Sequence, residues 1–569
     1  MGSPPWPCAS RARSGRGARR RRRACVRRPS EGGGMTPRMD RAAQRAALLE
    51  LGAAVAEEMR AGQGGASASA VGDVLATLPQ ASLEIVGLIG REARRRRPDP
   101  HLVAALAFIC GQALEMLRFG MERSDPAAAA MLDSVRGRLV AEARSDRADP
   151  AVLMLVTKQF AMAKLDIGDE LRGAMGDILD EQADEAAEQG AGDLDMENHL
   201  VELARELGDD AFAIHLELAE TASSFPVDHR LAMASFMLAS DAAPVKDAAL
   251  GWLFDPDPAV PPALCAALGE EAAAGRLDGT TLRRLVAARN WLGPAVRPGV
   301  DAVVRAARRR GGEPLPVASP HVEDLRVSGF DGAGAASAFA LVRTGKRYAV
   351  ASVLFKFGHG VRDAWVHRNL SRAEGDAQLD RVGAEIDLVP LSVPTLRRLL
   401  SHMLALNAAD APPPFGTIDV VEALGLGTVN PEAVDPGEMV AEILAAGEGA
   451  QDEAEVLADA AGWPARYGFM NSWFEDDAAL DDLLAGRKGL SRARRVDLVL
   501  DRLVMPRRRR WGEMLAWMAL MTADNDDGEE AGRFAVVAGA MLGERPAAEV
   551  PLLRAIADST IAARRTQRA

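Results

Sequence analysis

Residues 345–368 read GKRYAVASVLFKFGHGVRDAWVHR, and this stretch decides the fold because the chain around it follows a helical pattern. Tyr348, Val350, Ser352 and Leu354 occupy every second position, which is the period of a β-strand. The same stretch places two histidines, an aspartate and a tryptophan directly behind the strand. It therefore predicts a strand-bearing segment with a candidate site, inserted into a mainly helical protein.

The neighbouring residues predict that this segment is a small α+β insert over residues 318–410. Alternation of apolar and polar residues recurs in HVEDLRVSG, SAFALVRT and AEIDLVPL, and Thr344-Gly345-Lys346 fits the turn of a hairpin. Pro394 then opens the helix TLRRLLSHMLALN. The insert is expected to hold three or four strands together with helices, between the linkers GGEPLPVASP and ADAPPPFG.

Composition indicates a mainly α fold outside the insert. Aromatic residues are only 4% of the chain and alanine is abundant, which favours close helix packing over large antiparallel sandwiches. The 569 residues, 48% of them hydrophobic, suffice for about two to four domains with sizeable cores. The longest apolar stretch, Leu102 to Leu117, contains Gly111, Gln112 and Glu115 and falls short of a membrane span. We therefore expect no transmembrane helix and no membrane partner.

The cysteines are few and far apart. None belongs to a CxxC pair, so neither a zinc knuckle nor a disulfide framework is indicated. The four are Cys8, Cys25, Cys110 and Cys265. This usage fits a reducing compartment, and it predicts a cytoplasmic protein.

Residues 1–34 form an arginine-rich segment that we predict to be disordered. With no apolar core, the segment cannot be a signal peptide. It is a basic arm for nucleic acid or acidic surfaces, a transit peptide, or upstream sequence that is not translated because the start is Met35 or Met39. Its ten arginines and one glutamate amount to nine net positive charges, so the formal charge of −13 becomes −22 for residues 35–569. Such an acidic body argues against nonspecific binding of nucleic acid by the body as a whole.

Two helical regions flank the insert. The periodicity of apolar residues predicts a helical repeat-like domain of amphipathic segments over residues 40–312. It predicts a C-terminal helical domain over residues 436–565. Because an aspartate can cap a helix whose first residue is proline, we expect helices to begin at four Asp-Pro pairs. These are Asp99-Pro100, Asp125-Pro126, Asp149-Pro150 and Asp257-Pro258. Over residues 40–312 as a whole, the predicted helix starts lie about 15 to 26 residues apart, so consecutive helices are expected to be antiparallel.

Residues 243–292 read APVKDAALGWLFDPDPAVPPALCAALGEEAAAGRLDGTTLRRLVAARNWL. This stretch resembles the helix-turn-helix units of HEAT-like α-solenoids, in which a DPDPAV-type turn opens a helix of small and apolar residues. The resemblance implies an elongated, α-solenoid-like array of antiparallel helical hairpins with a groove. It implies no active site.

Common catalytic signatures are missing from the sequence. It contains no P-loop, no dinucleotide fingerprint after a strand, no HExxH and no nucleophile elbow. TADNDDGEE at residues 522–530 is acidic, but aligning Gly528 with the sixth position of a calcium loop would make Ala523 and Phe534 ligands, so this is no EF-hand. We predict no cofactor and favour a non-enzymatic function.

One hypothesis for the segment behind the strand is a metal site. His359, Asp363 and His367 are spaced four and four, so on a helix they would project three ligands from one face. Glycines flank the first histidine, which argues against a helix. A metal-dependent enzyme centred on the insert therefore stays an alternative.

The other functional hypothesis for the same segment is a recognition loop that binds a partner. The loop would present Arg362, Asp363, Trp365, His367 and Arg368, and tryptophan and arginine dominate the energetics of protein interfaces. A structural alternative also exists, in which Trp365 covers the core of the insert, Asp363 caps a turn and the histidines are solvated.

A second candidate site lies in the basic segment of residues 487–510, which holds ten Lys or Arg and two Asp. The run after Pro506 is predicted to begin a helix, where the helix dipole disfavours positive charge, so these arginines call for a functional explanation. The predicted phosphate or acidic-partner site consists of Arg507, Arg508, Arg509, Arg510 and Trp511. The alternative is that these arginines pair with the acidic residues 475–482 or are simply solvated.

Three functions follow from these patterns. The favoured one is a non-enzymatic helical-repeat scaffold or adaptor that binds a protein partner through its groove or through the insert. The alternatives are a nucleic-acid-associated factor that uses residues 487–510 and a metal-dependent enzyme centred on the insert. Steep salt dependence of binding would favour the nucleic-acid-associated factor. Stoichiometric metal in the purified protein would favour the metal-dependent enzyme.

Overall fold

The computed structural model describes residues 41–62, 66–78, 80–145, 149–188, 193–317, 320–407, 411–447, 452–477, 479–485, 489–525 and 528–568. The arginine-rich segment 1–34, with Cys8 and Cys25, lies outside these residues. The chain divides into two compact units, of which unit 1 holds residues 1–192 and 218–226 and unit 2 holds residues 193–217 and 227–569.

Unit 1 is helical. Its helices are α1 (Arg41–Arg60), α2 (Ala66–Ala76), α3 (Ala81–Ala93), α4 (Pro100–Glu122), α5 (Pro126–Ala143), α6 (Pro150–Met162) and α7 (Asp169–Glu188). Three of them begin where the sequence predicts, because Asp99, Asp125 and Asp149 each accept a backbone N–H at the helix start and are followed by proline. These three predictions are confirmed.

Helix α4 is the centre of unit 1. Among the described residues it is the one helix long and apolar enough to cross a membrane, and at 23 residues it is longer than the sequence indicates. Ala105, Leu106, Ile109 and Leu114 are nevertheless buried, and the helix packs against α1, α3, α5 and α6. The apolar stretch is therefore the core helix of a folded helical unit.

Unit 2 begins with further helices. These are α8 (Asp193–Glu206), the first half of α9 (Ala211–Ala222), α10 (Val227–Ala239), α11 (Ala243–Ala249), α12 (Val260–Ala274), α13 (Gly279–Ala288) and α14 (Arg297–Arg309). The prediction that α12 begins at Pro258 is wrong. The Asp257 carboxylate accepts the N–H of Ala259 at 3.0 Å and, together with Asp255, also binds the buried Arg230, but the helix starts at Val260, two residues later than predicted.

A five-stranded antiparallel sheet follows, with one strand more than the largest number that the sequence predicts. Its strands are β1 (His321–Ser328), β2 (Ala335–Thr344), β3 (Arg347–Lys356), β4 (Gly360–Leu370) and β5 (Leu388–Pro390), in the order β4-β3-β2-β1-β5. The hairpin predicted at Gly345 is confirmed: Thr344 pairs with Arg347, and the glycine has φ 62°.

Helices cover both faces of the sheet. They are α15 (Arg372–Glu385), α16 (Val393–Leu406) and α17 (Gly416–Ala423). Leu379 of α15 packs on Leu341 and Val350, whereas α16 and α17 pack on the opposite face, beside Ala340 and Ala351. Because successive residues of a strand point to opposite faces, β3 is buried on both sides.

The C-terminal helices share a core with the insert. They are α18 (Pro436–Ala446), α19 (Glu453–Asp459), α20 (Trp463–Arg466), α21 (Ala479–Leu484), α22 (Arg492–Val499), α23 (Arg508–Ala523), α24 (Gly528–Leu542) and α25 (Pro551–Arg568). The buried Trp473 donates its indole N–H to Phe330 O, in the turn between β1 and β2, at 2.9 Å. Arg510 donates to Gly332 O of the same turn at 2.8 Å. The fold is thus mainly α with a small α+β insert, as the sequence predicts.

Candidate functional site

The residues predicted to contact a partner lie on a strand. Residues 362–368 belong to β4 and pair with β3, so the prediction of a loop is wrong. The chain reverses at residues 357–359, where Gly358 and Gly360 have φ values of 78° and 73° that glycine adopts without strain. After this turn, alternating side chains continue the sheet.

Three of the predicted residues share one face of β4. Asp363, Trp365 and His367, which we call the Trp365 patch, lie on the face that α15 packs against, but α15 leaves Trp365 41% exposed. Nδ1 of His367 is 2.9 Å from Nε2 of Gln378 in α15. Oδ1 of Asp363 accepts the N–H of Ala364 at 3.0 Å. The exposed indole therefore stands between two polar groups with internal contacts.

The geometry of the predicted metal site is not formed. His359 lies in the turn before β4, and Asp363 and His367 are four residues apart on a strand, hence about 13 Å at about 3.3 Å per residue. Ligands of one metal ion lie within a few ångströms of it. Within the described part of the chain, no group of three potential ligands is placed to hold a metal ion.

The other two predicted residues are separated from the Trp365 patch. Arg362 is exposed at an irregularity of the β3–β4 pairing, between the pairs Leu354–Asp363 and Phe355–Val361. Arg368 points to the opposite face, where its guanidinium binds two carboxylates. Strand alternation thus divides the predicted site.

Arg368 belongs to a partly buried ion-pair network that sequence reasoning missed. Its Nη1 is 2.9 Å from oxygens of both Asp210 and Asp419, and its Nη2 binds the second oxygen of Asp419. Burial raises the pKa of Asp419 to about 6, although Arg368 opposes this effect. The network joins β4, α17 and the residue before α9.

The network continues through α13. Arg284 binds Glu422 at 3.2 Å and Asp247 at 3.1 Å, and its guanidinium lies 4.5 Å from the ring centre of Phe212. The Thr281 hydroxyl donates to Asp247, whose pKa is raised by burial. Removing one member of such a network is costly, because it leaves another charge without its partner.

The one visible signal for this network is a charge inside an apolar run. Asp419 stands in TIDVV, and an aspartate at a buried position requires a partner. Its partner Arg368 lies 51 residues away, and Asp210, the other carboxylate that Arg368 binds, lies 158 residues from Arg368. The pairing therefore could not be predicted from sequence spacing.

The predicted arginine site is largely occupied from within the chain. Arg507 binds Glu475 at 2.7 Å and also Asp477, which is the pairing with residues 475–482 that the sequence left as the alternative. Trp511 is fully buried and donates its indole N–H to Glu475 at 2.9 Å. Arg510 binds Gly332 O and lies 4.9 Å from the centre of the Trp511 ring.

The remaining two arginines of the run, Arg508 and Arg509, differ in their contacts. Arg508 donates to Ala540 O, to Met541 O at 2.8 Å and to Arg545 O, so it caps the C-terminal end of α24. Arg509 is 68% exposed and pairs with Glu513 one turn later.

The argument from the helix dipole also fails for this run. A π-helical turn at residues 500–504 and a 3-10 turn at residues 505–507 connect α22 to α23. The run therefore continues a helical path, and the first turn of α23 is not a free helix start.

The unpaired edge of β4 is partly covered. The Asn407 side chain, at the end of α16, accepts the N–H of Val361 at 2.9 Å and donates to Val361 O at 3.2 Å, as a neighbouring strand would. Gly416, at the start of α17, lies so close to Ala364 O that a Cβ there would collide with it. Coverage of this kind prevents another strand from adding to the edge.

Comparisons with known proteins match both helical regions of unit 2. Residues 226–311 match the family model described as the Y4lR second domain, and residues 437–565 match the Y4lR C-terminal helical domain. The chain is also similar to the uncharacterized protein y4lR of Sinorhizobium fredii (strain NBRC 101917 / NGR234). The two are 26% identical over 480 residues, which are 81% of this chain and 89% of the relative. No solved structure matches the chain.

Proposed function

We propose that the chain is a non-enzymatic scaffold of the cytoplasm, built from HEAT-like, α-solenoid-like helical arrays, that binds a protein partner through the Trp365 patch. The exposure of Trp365 carries this proposal. Every other tryptophan that the structure describes is buried, in a chain with only eight. A solvent-exposed tryptophan on a rigid strand is the type of residue that anchors protein interfaces.

The covered edge of β4 supports docking on the face of the sheet. A partner that added a strand at residues 361–364 would have to displace Asn407 and the start of α17. A partner that packs on the indole needs no such rearrangement. The partner therefore meets side chains, with Asp363 and His367 as flanking polar groups.

The experiment is a pull-down from native lysate, with the full chain as bait and with nuclease as a variable. Trp365→Ala removes the indole and leaves the strand backbone unchanged. Leu444→Ala is the matched control, because Leu444 is also a large apolar residue with 45% exposure but lies on α18. Mass spectrometry identifies the bound protein.

The proposal requires one protein that survives nuclease, stays bound to Leu444→Ala and is lost with Trp365→Ala. A partner that binds all three baits equally would refute the role of the Trp365 patch. Material lost with nuclease and unaffected by Trp365→Ala would favour the nucleic-acid alternative, with the exposed Arg509 as the first residue to test. Stoichiometric metal in protein purified without an affinity tag would favour the metal-dependent alternative.

A further inference from the structure

An arginine cluster, which we call the α3–α5 patch, lies where helices α3 and α5 of unit 1 pack against each other. On α5, Nη2 of Arg138 lies beside Gly87 of α3, 3.8 Å from where a Cβ of that glycine would stand. Arg94, just after α3, binds Glu142 on α5. Arg91 lies between these two contacts on the same face of α3, because residues three and four apart on a helix are neighbours. The members of the patch are Arg91, Arg94, Arg95, Arg96, Arg97 and Arg138.

Two carboxylates lie within the patch, and both are already paired. Glu142 binds Arg94 and lies 3.8 Å from Nη2 of Arg138. Glu92 binds Arg95 at 3.0 Å. Six arginines and two carboxylates give the patch a net charge of +4.

Three of the arginines have no partner. Arg91, Arg96 and Arg97 are exposed, and none of them forms an ion pair or a side-chain hydrogen bond with the part of the chain that the structure describes. The next carboxylate along the chain, Asp99, is paired with Arg60 at 2.9 Å. These three guanidinium groups are therefore available to an anion from outside the chain.

The helix dipole accounts for only part of this arrangement. Helix α3 ends at Ala93, and the favourable effect of its dipole on positive charge falls off within the last turn. Arg96 and Arg97 lie beyond the end of the helix. Like charges placed together repel one another, and a bound anion removes this repulsion.

We propose that the α3–α5 patch binds the phosphate backbone of duplex DNA. A guanidinium group binds two phosphate oxygens through parallel N–H groups. A duplex carries one phosphate charge per about 1.7 Å of its axis, so several arginines of the patch can be neutralised at once. Because the chain as a whole has a formal charge of −13, binding is confined to the patch and weakens steeply with salt. The α3–α5 patch belongs to unit 1 and is independent of the Trp365 patch, which belongs to unit 2.

The composition of the patch favours a duplex over other anionic partners. None of the large apolar side chains that are exposed in the described residues lies on α3, on α5 or in the turn after α3, so the patch lacks the apolar anchors of a protein interface. These segments also contain no aromatic residue on which unpaired bases could stack. Recognition of an RNA duplex uses its 2′-hydroxyl groups, which a surface of arginines does not select. Phosphate contacts alone suffice for non-specific binding of duplex DNA.

Phenylglyoxal footprinting of the full chain tests the proposal, because this reagent modifies accessible guanidinium groups and mass spectrometry measures each arginine separately. The probe is a DNA duplex of about 20 base pairs at low salt. We expect the duplex to slow the modification of Arg91, Arg96 and Arg97 by at least about threefold. Arg308 and Arg309, at the end of α14, are the internal control and should be modified at an unchanged rate. Since each site is measured by itself, DNA that binds to the arginines of residues 1–34 does not hide the result.

Three outcomes of the footprint would overturn the proposal. The first is no protection of the patch, or equal protection of Arg308 and Arg309. The second is protection by polyglutamate as strong as that by DNA, which would assign the patch to an acidic protein. The third is stronger protection by an RNA duplex of the same length, which would assign the patch to RNA.

Two double variants of the full chain measure the phosphate contacts. Arg96→Gln with Arg97→Gln removes two unpaired arginines of the patch, and Arg308→Gln with Arg309→Gln removes two exposed arginines of α14, so the net charge changes equally. Fluorescence anisotropy of a labelled duplex gives the binding constant as the salt concentration is raised. The plot of its logarithm against the logarithm of salt concentration should become shallower by about 2 in the patch variant and stay unchanged in the control. Equal slopes for the two variants would overturn the proposal. Circular dichroism checks folding, and the footprint of the unmodified chain stands without any variant.

Discussion

Replacing Asp419 by asparagine tests how the partly buried ion-pair network of Arg368 responds to pH. Asp419 is 2% exposed, and both of its oxygens accept hydrogen bonds from Arg368. Burial raises the pKa of this carboxyl to about 6 from its ordinary value of 3.8. A carboxyl with a raised pKa in the folded state binds its proton more tightly there, so protonation favours folding. Its contribution to the free energy of unfolding therefore increases as the pH falls from above 6 towards 4.

The size of the effect follows from the two pKa values. Between pH 7 and pH 5 the carboxyl of the folded protein changes from about one tenth to about nine tenths protonated, while that of the unfolded chain stays almost fully ionised. Integrating this difference gives the unmodified protein about 1 kcal/mol of additional unfolding free energy at pH 5. Asparagine cannot take up the proton. Asp419→Asn should therefore destabilise the protein by about 1 kcal/mol more at pH 5 than at pH 7.

The assay is urea denaturation of the unmodified protein and the variant at both pH values, followed by tryptophan fluorescence. Asp459→Asn is the matched control, since Asp459 also binds arginines, but its hydrogen bond from Arg466 lowers its pKa to about 2. A lowered pKa contributes stability that is lost only as the pH falls from 3.8 towards 2. Both assay conditions lie above this window, so the control should lose the same stability at the two pH values.

An equal or smaller destabilisation by Asp419→Asn at pH 5 would refute the reasoning. It would mean that Arg368 outweighs burial and keeps the carboxyl ionised at both pH values. Because each variant is compared with the unmodified protein at the same pH, the titration of all other groups cancels to first order.

In each of two further pairs of substitutions, the two variants are expected to differ in the free energy of unfolding measured by urea denaturation. Arg508→Met leaves carbonyl groups at the end of α24 without their donor, so it should lower the free energy of unfolding by about 1–3 kcal/mol. Arg509→Met removes only an exposed ion pair, so it should lower the free energy of unfolding by less than about 1 kcal/mol. Gly416→Ala forces a Cβ against the backbone of β4 and should lower the free energy of unfolding by about 1–3 kcal/mol. The Cβ of Gly462→Ala meets no atom within 4 Å, so this substitution should change the free energy of unfolding by less than about 1 kcal/mol. Equal effects within either pair would contradict the contacts described for it.

Local patterns predicted much of the fold. The helices after Asp99, Asp125 and Asp149, the hairpin at Gly345 and the mainly α class all depend on neighbouring residues, whose chemistry is visible in the sequence. The helix expected after Asp257 starts two residues later, at Val260, and the Asp257 carboxylate is shared between the N–H of Ala259 and Arg230 of another helix. Tertiary contacts of this kind override local preferences.

The candidate site was harder to predict because its geometry depends on strand pairing. The segment after Gly360 continues the sheet as β4, and the alternation of its residues then separates Trp365 from Arg368. The hydrogen-bond partners of Arg507, Arg508 and Arg510 lie 30 or more residues away, on other elements, whereas Arg509 pairs with Glu513 on its own helix. Composition showed that these charges require partners, but only the fold shows which ones they have.

The turn between β1 and β2 makes the folding of the insert depend on residues that are synthesised much later. Strands β1 to β4 pair with their neighbours in the chain, and contacts of short sequence separation form quickly. Phe330 O, in contrast, accepts its hydrogen bond from the indole of Trp473, 143 residues later in the chain, and Gly332 O accepts from Arg510, 178 residues later. During translation the strands can pair while these carbonyl groups still face water, and the turn becomes a docking point for the C-terminal helices once the ribosome has released them.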